Sequence, residues 1–273
     1  MPELPEVETT RLGISPHVVG KKISEIIVRR WDLRWPISEN LPELDGAEFI
    51  SVKRRSKYLL LETDIGDTVL VHLGMSGSLR VIHSGDEWKK HDHIGITVSS
   101  GMQLRYHDPR RFGLVMRVPS SDIQTHPLLV NLGPEPLEEG FTGKHLHTAL
   151  RKKTIPIKVA LMDAKTVVGV GNIYASESLF RSRIQPMLPA NKLTKSKAEK
   201  LVAAIKEVLA ESITQGGTTL RDFLKSDGQP GYFKQRLFVY DRKGEPCRVC
   251  GTPISHKMLG QRATYWCGAC QQR

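Results

Sequence analysis

Four cysteines near the C-terminus are the clearest chemical signal in this 273-residue sequence. They form two pairs, Cys247 with Cys250 and Cys267 with Cys270, and two residues separate the members of each pair. Sixteen residues lie between the pairs, a spacing typical of sites in which four thiolates surround one zinc ion. Four sulfurs leave no open position for water, so the sequence predicts one structural Zn²⁺. Two disulfides or a redox pair are the alternatives.

The N-terminus could supply a nucleophile. Pro2 is small enough for Met1 to be removed during synthesis, which would expose a secondary amine. An α-amino group titrates near pH 8, so roughly a tenth of it is neutral at pH 7. A neutral secondary amine can attack an aldehyde-level carbon and form an iminium ion, and Glu3 is a candidate proton donor or acceptor beside it. The alternative is that Pro2 and Glu3 only begin a helix.

Positive charge is concentrated in the second half of the chain. The sequence has 40 Lys and Arg against 29 Asp and Glu, a formal net charge of +11. Residues 1–133 contain 17 basic and 17 acidic side chains, whereas residues 134–273 contain 23 basic and 12 acidic ones. A localised basic field predicts a polyanionic partner such as nucleic acid or an anionic membrane surface. Solubility alone is the alternative.

The composition excludes several classes of protein. Hydrophobic residues make up 39% of the chain, which is enough for folded cores and excludes a disordered or fibrous protein. No apolar run reaches the roughly 18 residues of a membrane span. The acidic, proline-punctuated start lacks the basic and apolar regions of a secretory signal, and four cysteines are too few for a disulfide scaffold. We therefore expect a soluble, cytoplasmic protein.

The elements that must position these residues differ between the two halves. The first half contains eight short β-branched or aromatic runs separated by turn signals such as Asp45-Gly46, which predicts an antiparallel sandwich or barrel. The runs cover residues 24–28, 48–53, 57–63, 68–73, 78–82, 93–98, 102–106 and 113–118. Proline and glutamates near the start predict one preceding helix, from about Pro5 to Leu12.

The second half has helical periodicity. Leu132 to Pro136 is the predicted linker, and a capping box at Ser196 to Glu199 predicts the start of a helix that ends at Gly216-Gly217. Three earlier helices are expected over residues 143–153, 157–163 and 173–183. The predicted domains are a β-domain over 1–133, a linker and the start of the helical domain over 134–150, a helical domain over 151–235 and a metal-binding segment over 238–272.

Three motifs occur together in one order along the chain: Pro2–Glu8 with the sequence PELPEVE, Gly171–Tyr174 with the sequence GNIY, and the four-cysteine segment. In this combination the whole chain resembles the bacterial formamidopyrimidine-DNA glycosylases, also called 8-oxoguanine DNA glycosylases. The resemblance implies an α+β multidomain fold, with an N-terminal helix and antiparallel β-sandwich, a helical domain with a helix-two-turn-helix motif, and a four-cysteine zinc finger on a β-hairpin. It also implies excision of oxidised purines from damaged double-stranded DNA and cleavage of the strand by β,δ-elimination. A monomer is the simplest oligomeric state for such a chain.

The resemblance also implies roles for individual residues. Pro2 matches the nucleophile that attacks the sugar C1′, and Glu3 matches the acid that assists departure of the base. Lys57 matches a lysine that binds phosphate and donates a proton in β-elimination. Asn172 matches a phosphate-binding asparagine of the helix-two-turn-helix motif. Arg262 matches the finger arginine that grips phosphates and is assigned to δ-elimination.

Further residues match positions that contact DNA. His91, Arg110 and Lys153 match DNA-binding positions, and Met75, Arg110 and Phe112 match the wedge residues that fill the space left by the flipped base. Such a wedge recovers part of the stacking lost on flipping. The segment from Thr218 to Tyr232 aligns with the lesion-recognition loop of the family.

Two other functions remain open from the sequence. A sister enzyme for oxidised pyrimidines shares the Pro-Glu start, although Leu4 and the Arg110-Arg111-Phe112 sequence favour the purine enzyme. A non-catalytic zinc-ribbon protein that binds DNA or RNA would explain the charge and the cysteines but would leave the N-terminal motif without a role.

Overall fold

A computed structural model describes residues 2–217 and 236–271, which form two compact units. Of the described residues, unit 1 contains 2–130 and 215–217, and unit 2 contains 131–214 and 236–271. Within the described residues, no helix combines the length and the hydrophobicity that a membrane span requires.

Unit 1 is an antiparallel β-structure preceded by one long helix. The helix is α1 (Leu4–Val18), and the strands are β1 (Lys21–Val28), β2 (Glu48–Arg55), β3 (Tyr58–Thr63), β4 (Asp67–His72), β5 (Ser78–His83), β6 (Asp92–Val98), β7 (Met102–His107) and β8 (Leu114–Pro119). Short 3₁₀ turns cover Leu41–Leu44 and Ser120–Asp122. All eight predicted strands are present, each within three residues of its predicted bounds.

The eight strands form two halves that share β1. Their order is β5-β7-β6-β1-β2-β3-β4-β8, and every neighbouring pair is antiparallel. Side chains from both halves pack against each other, among them Leu61 and Val69 from one half and Ile96 and Leu104 from the other. Burial of alternating apolar side chains on facing sheets is the arrangement of a β-sandwich, so this prediction is confirmed.

Helix α1 is longer than predicted. The helix was predicted to end at about Leu12, but it continues through Gly13 and Pro16 to Val18. Val7, Ile14 and Val18 are all buried in the unit 1 core, and their spacing places them on one helical face. Packing of this face therefore outweighs the low helix propensity of glycine and proline.

Unit 2 contains four helices and the cysteine-bearing hairpin within the described residues. The helices are α2 (Gly143–Leu150), α3 (Ile157–Leu161), α4 (Asn172–Arg181) and α5 (Lys195–Thr214), with a 3₁₀ turn at Ala190–Lys192. Helix α5 ends before Gly216 and Gly217, as predicted. Both glycines have positive φ. The predicted capping box at Ser196 is wrong, because Thr194 Oγ1 accepts the hydrogen bond from the Lys197 N–H at 3.2 Å.

The C-terminal segment folds into a two-stranded hairpin. Strands β9 (Ile254–Leu259) and β10 (Arg262–Cys267) pair in antiparallel register. A small core joins this hairpin to helix α4, and its buried members are Phe180, Val239, Cys247, Ile254 and Cys267. The α+β architecture expected from the sequence is thus confirmed in both units.

Candidate functional site

The predicted nucleophile and acid lie at the first turn of α1. Glu3 is the N-cap residue and forms a reciprocal capping box with Glu6, whose Oε2 accepts from the Glu3 backbone N–H at 2.8 Å. Glu3 is 3% exposed, Glu6 is fully buried, and Pro2 is buried as well. Glu3 therefore begins a helix, as the structural alternative required. The capping box with Glu6 also holds Glu3 in a fixed position next to Pro2, as catalysis would require.

Gly217, a residue of unit 1, also reaches the start of α1. Gly217 has φ of +81°, and a Cβ on it would lie 3.3 Å from the Glu6 side chain. Close approach of backbone to Glu6 and a left-handed conformation both favour glycine here. The predicted lesion-recognition segment, 218–232, follows directly and lies outside the described residues.

Lys57 lies in the turn between β2 and β3, and α1 is anchored to the same turn. Arg54 Nε donates to Glu8 of α1 at 2.9 Å, and Arg54 Nη1 donates to the carbonyl of Ser56 at 3.0 Å. Ser56 has φ of 56°, a left-handed conformation that tight hairpin turns use. These contacts connect the helix that begins beside Pro2 to the turn that carries Lys57.

His72, the last residue of β4, is a polar residue of this region that sequence reasoning missed. Its ring centroid lies 4.9 Å from that of Tyr58, and its Nδ1 accepts from the Gly74 N–H at 3.0 Å. Burial lowers the pKa of His72 to about 4, and the charges of Lys57 and Arg34 act in the same direction. The neutral ring then has its proton on Nε2, as a hydrogen-bond donor. A single histidine at a strand end gives no signal in the sequence.

The three wedge residues lie on two loops that touch each other. A Cβ on Gly74 would lie 2.5 Å from backbone atoms of Phe112 and Gly113, so the turn that carries Met75 requires glycine at this contact. Phe112 is 41% exposed, and the Arg110 guanidinium carbon lies 4.9 Å from its ring centroid. Unit 1 therefore brings all three predicted wedge residues together.

Asp108, which the sequence analysis did not single out, connects these two loops. It is fully buried. Its Oδ1 accepts from the Ser76 hydroxyl at 3.1 Å and from the Arg110 N–H at 3.3 Å, and its Oδ2 accepts from the Gly113 N–H at 2.9 Å. One carboxylate thus fixes residues on both sides of the wedge.

His91 lies at an open cleft of about 430 Å³ in unit 1. The cleft, called the cationic cleft below, is lined by Arg29, Arg30, Lys90, His91, Asp92, His93, Pro109 and Arg111. The buried Asp92 accepts from Arg80 at 2.7 Å and is 2.8 Å from His107 Nδ1. Burial acts to raise the pKa of Asp92, but hydrogen bonds from His107 and the Lys89 backbone, with the charge of Arg80, hold it well below its usual range.

Unit 2 connects Asn172 with the strand that begins at Arg262. Asn172 is the first residue of α4, and its Oδ1 accepts a hydrogen bond from Lys158, a fully buried residue of α3. Lys158 Nζ also donates to the carbonyl of Ala263 at 2.9 Å and to Thr264 Oγ1 at 2.7 Å. One ammonium therefore positions two predicted phosphate-binding regions relative to each other.

Arg262 is exposed beside the hairpin turn, and this turn rests on α3. A Cβ on Gly260 would lie 3.1 Å from Val159. Gly260 and Gln261 have φ of 53° and 60°, so the turn uses the left-handed region twice. The hairpin presents Arg262 while Val159 and Lys158 hold its base.

Lys153, the remaining predicted DNA-contacting residue, lies between α2 and α3. Its Nζ donates to Asp163 Oδ2 and to Thr166 Oγ1, both at 2.8 Å. The side chain is 29% exposed. In this structure its ammonium thus has two partners within unit 2.

We expect Lys158→Met to destabilise unit 2. The variant leaves the acceptors on Asn172, Ala263 and Thr264 without their common donor, and unsatisfied buried acceptors should lower the free energy of unfolding by roughly 2–5 kcal/mol. Denaturant unfolding followed by circular dichroism measures the change. Lys153→Met removes a partly exposed ammonium and is the matched control, with an expected loss of about 1 kcal/mol or less. Equal losses for the two variants would contradict the role given to Lys158.

Glu177 of α4 is a second polar residue that the sequence did not indicate. It is 1% exposed. Its carboxylate accepts from the backbone N–H groups of Phe238, Val239 and Tyr240 at 2.8–2.9 Å. Burial raises the pKa of Glu177, while these three hydrogen bonds act to lower it. The residue attaches the segment before the cysteines to the helix that begins with Asn172.

The four cysteine sulfurs form one compact cluster. Their Sγ atoms all lie within 4.8 Å of one another, with 3.4 Å between Cys250 and Cys267 and 4.0 Å between Cys247 and Cys270. A tetrahedral ion with Zn–S distances of about 2.3 Å requires sulfur separations of about 3.8 Å, so the cluster fits one zinc. The separations are well above the roughly 2.05 Å of a disulfide bond. The Val249 and Cys270 N–H groups donate to cysteine sulfurs at 3.5 Å, as suits thiolates.

Comparisons with known proteins match the whole chain. The family models "Formamidopyrimidine-DNA glycosylase N-terminal domain", "Formamidopyrimidine-DNA glycosylase H2TH domain" and "Zinc finger found in FPG and IleRS" match residues 1–115, 132–224 and 244–273. The formamidopyrimidine-DNA glycosylase of Xanthomonas oryzae is 54% identical over 273 residues, covering 100% of both chains.

Two solved structures are similar throughout. The Fpg protein of Thermus thermophilus is 39% identical, with a TM-score of 0.89 and coverage of 99% of this chain and 98% of that chain. The Lactococcus lactis Fpg in complex with DNA containing an abasic site is 33% identical, with a TM-score of 0.91 and coverage of 99% and 100%.

With these matches, the fold and the four-cysteine cluster define a class: the protein is a DNA glycosylase of base excision repair with AP lyase activity. It belongs to the formamidopyrimidine-DNA glycosylase family, matched from the first residue to the last. The predicted family, the enzyme class and the one structural zinc are therefore confirmed. The alternative of a non-catalytic zinc-ribbon protein is wrong.

Proposed function

We propose that the protein excises oxidised purines, namely 8-oxoguanine and formamidopyrimidines, from damaged double-stranded DNA and then cleaves the strand at the abasic site. The observation that carries the proposal is the start of α1, where the buried N-cap residue Glu3 lies next to Pro2 in a chain that matches this family over its full length. Relatives bound to DNA containing an abasic site or a Fapy-dG lesion support the same substrate class.

The reaction begins at the Pro2 nitrogen. Its lone pair forms a bond to the sugar C1′ while the glycosidic bond breaks, and Glu3 assists departure of the base by proton transfer. The attacking nitrogen then loses its one proton, and the C1′–O4′ bond of the sugar breaks as O4′ takes up a proton. The product is an open-chain iminium ion, which keeps its positive charge because its nitrogen has no N–H left to lose. This charge acidifies the hydrogen on the neighbouring C2′.

Strand cleavage follows from the iminium. Loss of the C2′ proton expels the 3′ phosphate in β-elimination, with Lys57 as the proposed proton donor. A second elimination, assigned to Arg262, removes the C4′ proton and expels the 5′ phosphate. Each step moves an electron pair toward the iminium carbon and then onto a departing phosphate, so no external oxidant or reductant is needed.

Cationic and amide side chains would hold the strand during these steps. Asn172, Lys57 and Arg262 are assigned to phosphates near the lesion, and His91, Arg110 and Lys153 to further DNA contacts. The asparagine begins a helix, where backbone N–H groups and the helix dipole favour an anion. We propose that the enzyme acts as a monomer and associates with the nucleoid through this DNA binding.

The wedge favours a purine opposite cytosine. Met75 and Phe112 would fill the space left by the flipped base, which costs a few kcal/mol to extrude. Arg110 carries only donors, and cytosine offers acceptors on its pairing edge. Arg110 is stacked on Phe112, so it is preorganised for this contact.

A comparison of two lesions tests the proposal. Duplexes with 8-oxoguanine opposite cytosine should be cleaved faster than duplexes with thymine glycol, and both cut ends should carry phosphate. Borohydride should trap a covalent complex between the enzyme and the 8-oxoguanine strand, because it reduces the iminium. Faster cleavage of thymine glycol would instead assign the chain to oxidised pyrimidines, and cleavage without trapping would overturn the iminium mechanism.

A further inference from the structure

The exposed carboxylate of Asp32 forms ion pairs with two arginines of the cationic cleft. Asp32 Oδ1 lies 2.8 Å from Arg30 Nε, and its Oδ2 lies 3.0 Å from Arg111 Nη1. The Asp32 side chain is 67% exposed. The two arginines line the cleft together with the cations Arg29 and Lys90, so the exposed Asp32 carboxylate lies beside a cluster of positive charge.

Backbone contacts keep Asp32 in front of Arg111. The Arg34 N–H donates to the carbonyl of Arg111 at 2.8 Å, and the Arg111 N–H donates to the Asp108 carbonyl at 3.2 Å. The loop that carries Asp32 is thereby attached to the loop that carries the wedge residues Arg110 and Phe112. The ion pair between Asp32 and Arg111 is thus supported by a backbone hydrogen bond between the two loops that carry these residues.

Asp92, the carboxylate that lines the cleft, differs from Asp32 in its burial and its partners. Asp92 is 2% exposed, and its oxygens accept from Arg80, Arg105 and the Lys89 backbone. A carboxylate that is buried and satisfied by its own partners gives up its hydrogen bonds only at high cost. Asp32 differs because its ion pairs are exposed, and exposed ion pairs contribute little stability.

We propose that the cationic cleft binds a backbone phosphate of DNA and that Asp32 is a built-in competitor, which holds Arg30 and Arg111 until the phosphate displaces it. The proposal rests on the DNA-glycosylase function proposed above. A phosphate and a carboxylate both accept the paired N–H donors of a guanidinium, so they compete for the same atoms.

The competitor lowers affinity for DNA in general. Binding to undamaged DNA depends almost entirely on sequence-independent phosphate contacts, so a carboxylate in a phosphate site weakens it directly. The lesion complex has additional contacts at the flipped base and the wedge. Asp32 weakens both complexes by the same factor, so the enzyme leaves undamaged DNA more readily, while the additional contacts at a lesion keep that complex bound.

The test compares Asp32→Asn with Glu43→Gln. Both variants remove one negative charge. Glu43 is a similar residue, because it is 71% exposed and pairs with Arg117 at 3.0 Å, but its partner Arg117 does not line the cleft. Removal of a unit charge about 4 Å from a bound phosphate should strengthen binding of an undamaged duplex about three- to fivefold. Glu43→Gln should change this affinity less than about twofold, and Asp32→Glu should stay near wild type.

Fluorescence anisotropy with a labelled undamaged duplex measures these affinities over a range of salt concentrations. The advantage of Asp32→Asn should shrink as salt rises, because exposed charges are screened. Equal effects of Asp32→Asn and Glu43→Gln in an enzyme that still excises 8-oxoguanine would overturn the competitor role. Wild-type protein that neither binds nor cleaves the lesion duplex would instead overturn the proposed function.

Discussion

Protein that retains Met1 is expected to form no borohydride-trapped complex with lesion DNA. A peptide bond to Met1 turns the Pro2 nitrogen into a tertiary amide, whose lone pair is delocalised into the carbonyl and cannot attack a sugar carbon. Excision and trapping should both fall by at least about a thousandfold, the scale of losing a covalent nucleophile. Mass spectrometry of the N-terminus establishes which species is present, and gel analysis of trapped and cleaved strands gives the activities.

Pro2→Gly is the matched variant, because it changes the nucleophile without blocking it. After removal of Met1, this variant begins with a primary amine that can still form an imine, although the imine can lose its proton and become neutral. We expect weakened but measurable trapping, about a hundredfold below wild type, the lower end of the usual scale for an acid–base step. Binding of DNA containing an uncleavable abasic analogue should persist in both proteins. Full excision by the Met1-bearing chain would remove Pro2 from the mechanism.

Local signals in the sequence were sufficient for most of the fold. Each strand of unit 1 was predictable from its β-branched or aromatic run and its flanking turn residues, since both act over a few residues. The end of α1 was not predictable in this way. The prediction ended it at about Leu12, but burial of Ile14 and Val18 in the sandwich core extends the helix past Gly13 and Pro16. The start of α5 was misplaced by two residues, because Thr194 and Ser196 are both good caps and packing selects between them.

The candidate site shows the same contrast between local and distant signals. Pro2, Glu3 and the cysteines could be proposed from short motifs, because the residues of each motif lie close together in sequence. Asp108, Lys158 and Glu177 were missed because their partners lie far away along the chain. Lys158, for example, contacts residues 105 and 106 positions later. A buried lysine or glutamate gives no sign in the sequence that it is buried, so these positioning residues require a structure.

Loss of zinc is expected to unfold the finger and abolish DNA binding. The core that joins the hairpin to α4 has five buried members, and two of them, Cys247 and Cys267, are themselves ligands. A segment of about 35 residues cannot bury enough apolar surface to fold alone, and a structural zinc supplies on the order of 10–16 kcal/mol of apparent folding free energy. Without the ion, the hairpin should open and Arg262 should lose its fixed position on α3.

Cys250→Ser provides this loss without a chelator, and Val249→Ser is its matched control. Val249 is 60% exposed and adjacent in sequence, and its side chain is not a ligand. Elemental analysis should give one zinc per chain for Val249→Ser and little or none for Cys250→Ser. Hydrogen exchange should then show fast exchange over residues 244–271 in Cys250→Ser, with protection of the β-sandwich unchanged, because the sandwich has its own core. A Cys250→Ser protein that lacks zinc yet binds and cleaves lesion DNA normally would show that the metal has no structural role in positioning Arg262.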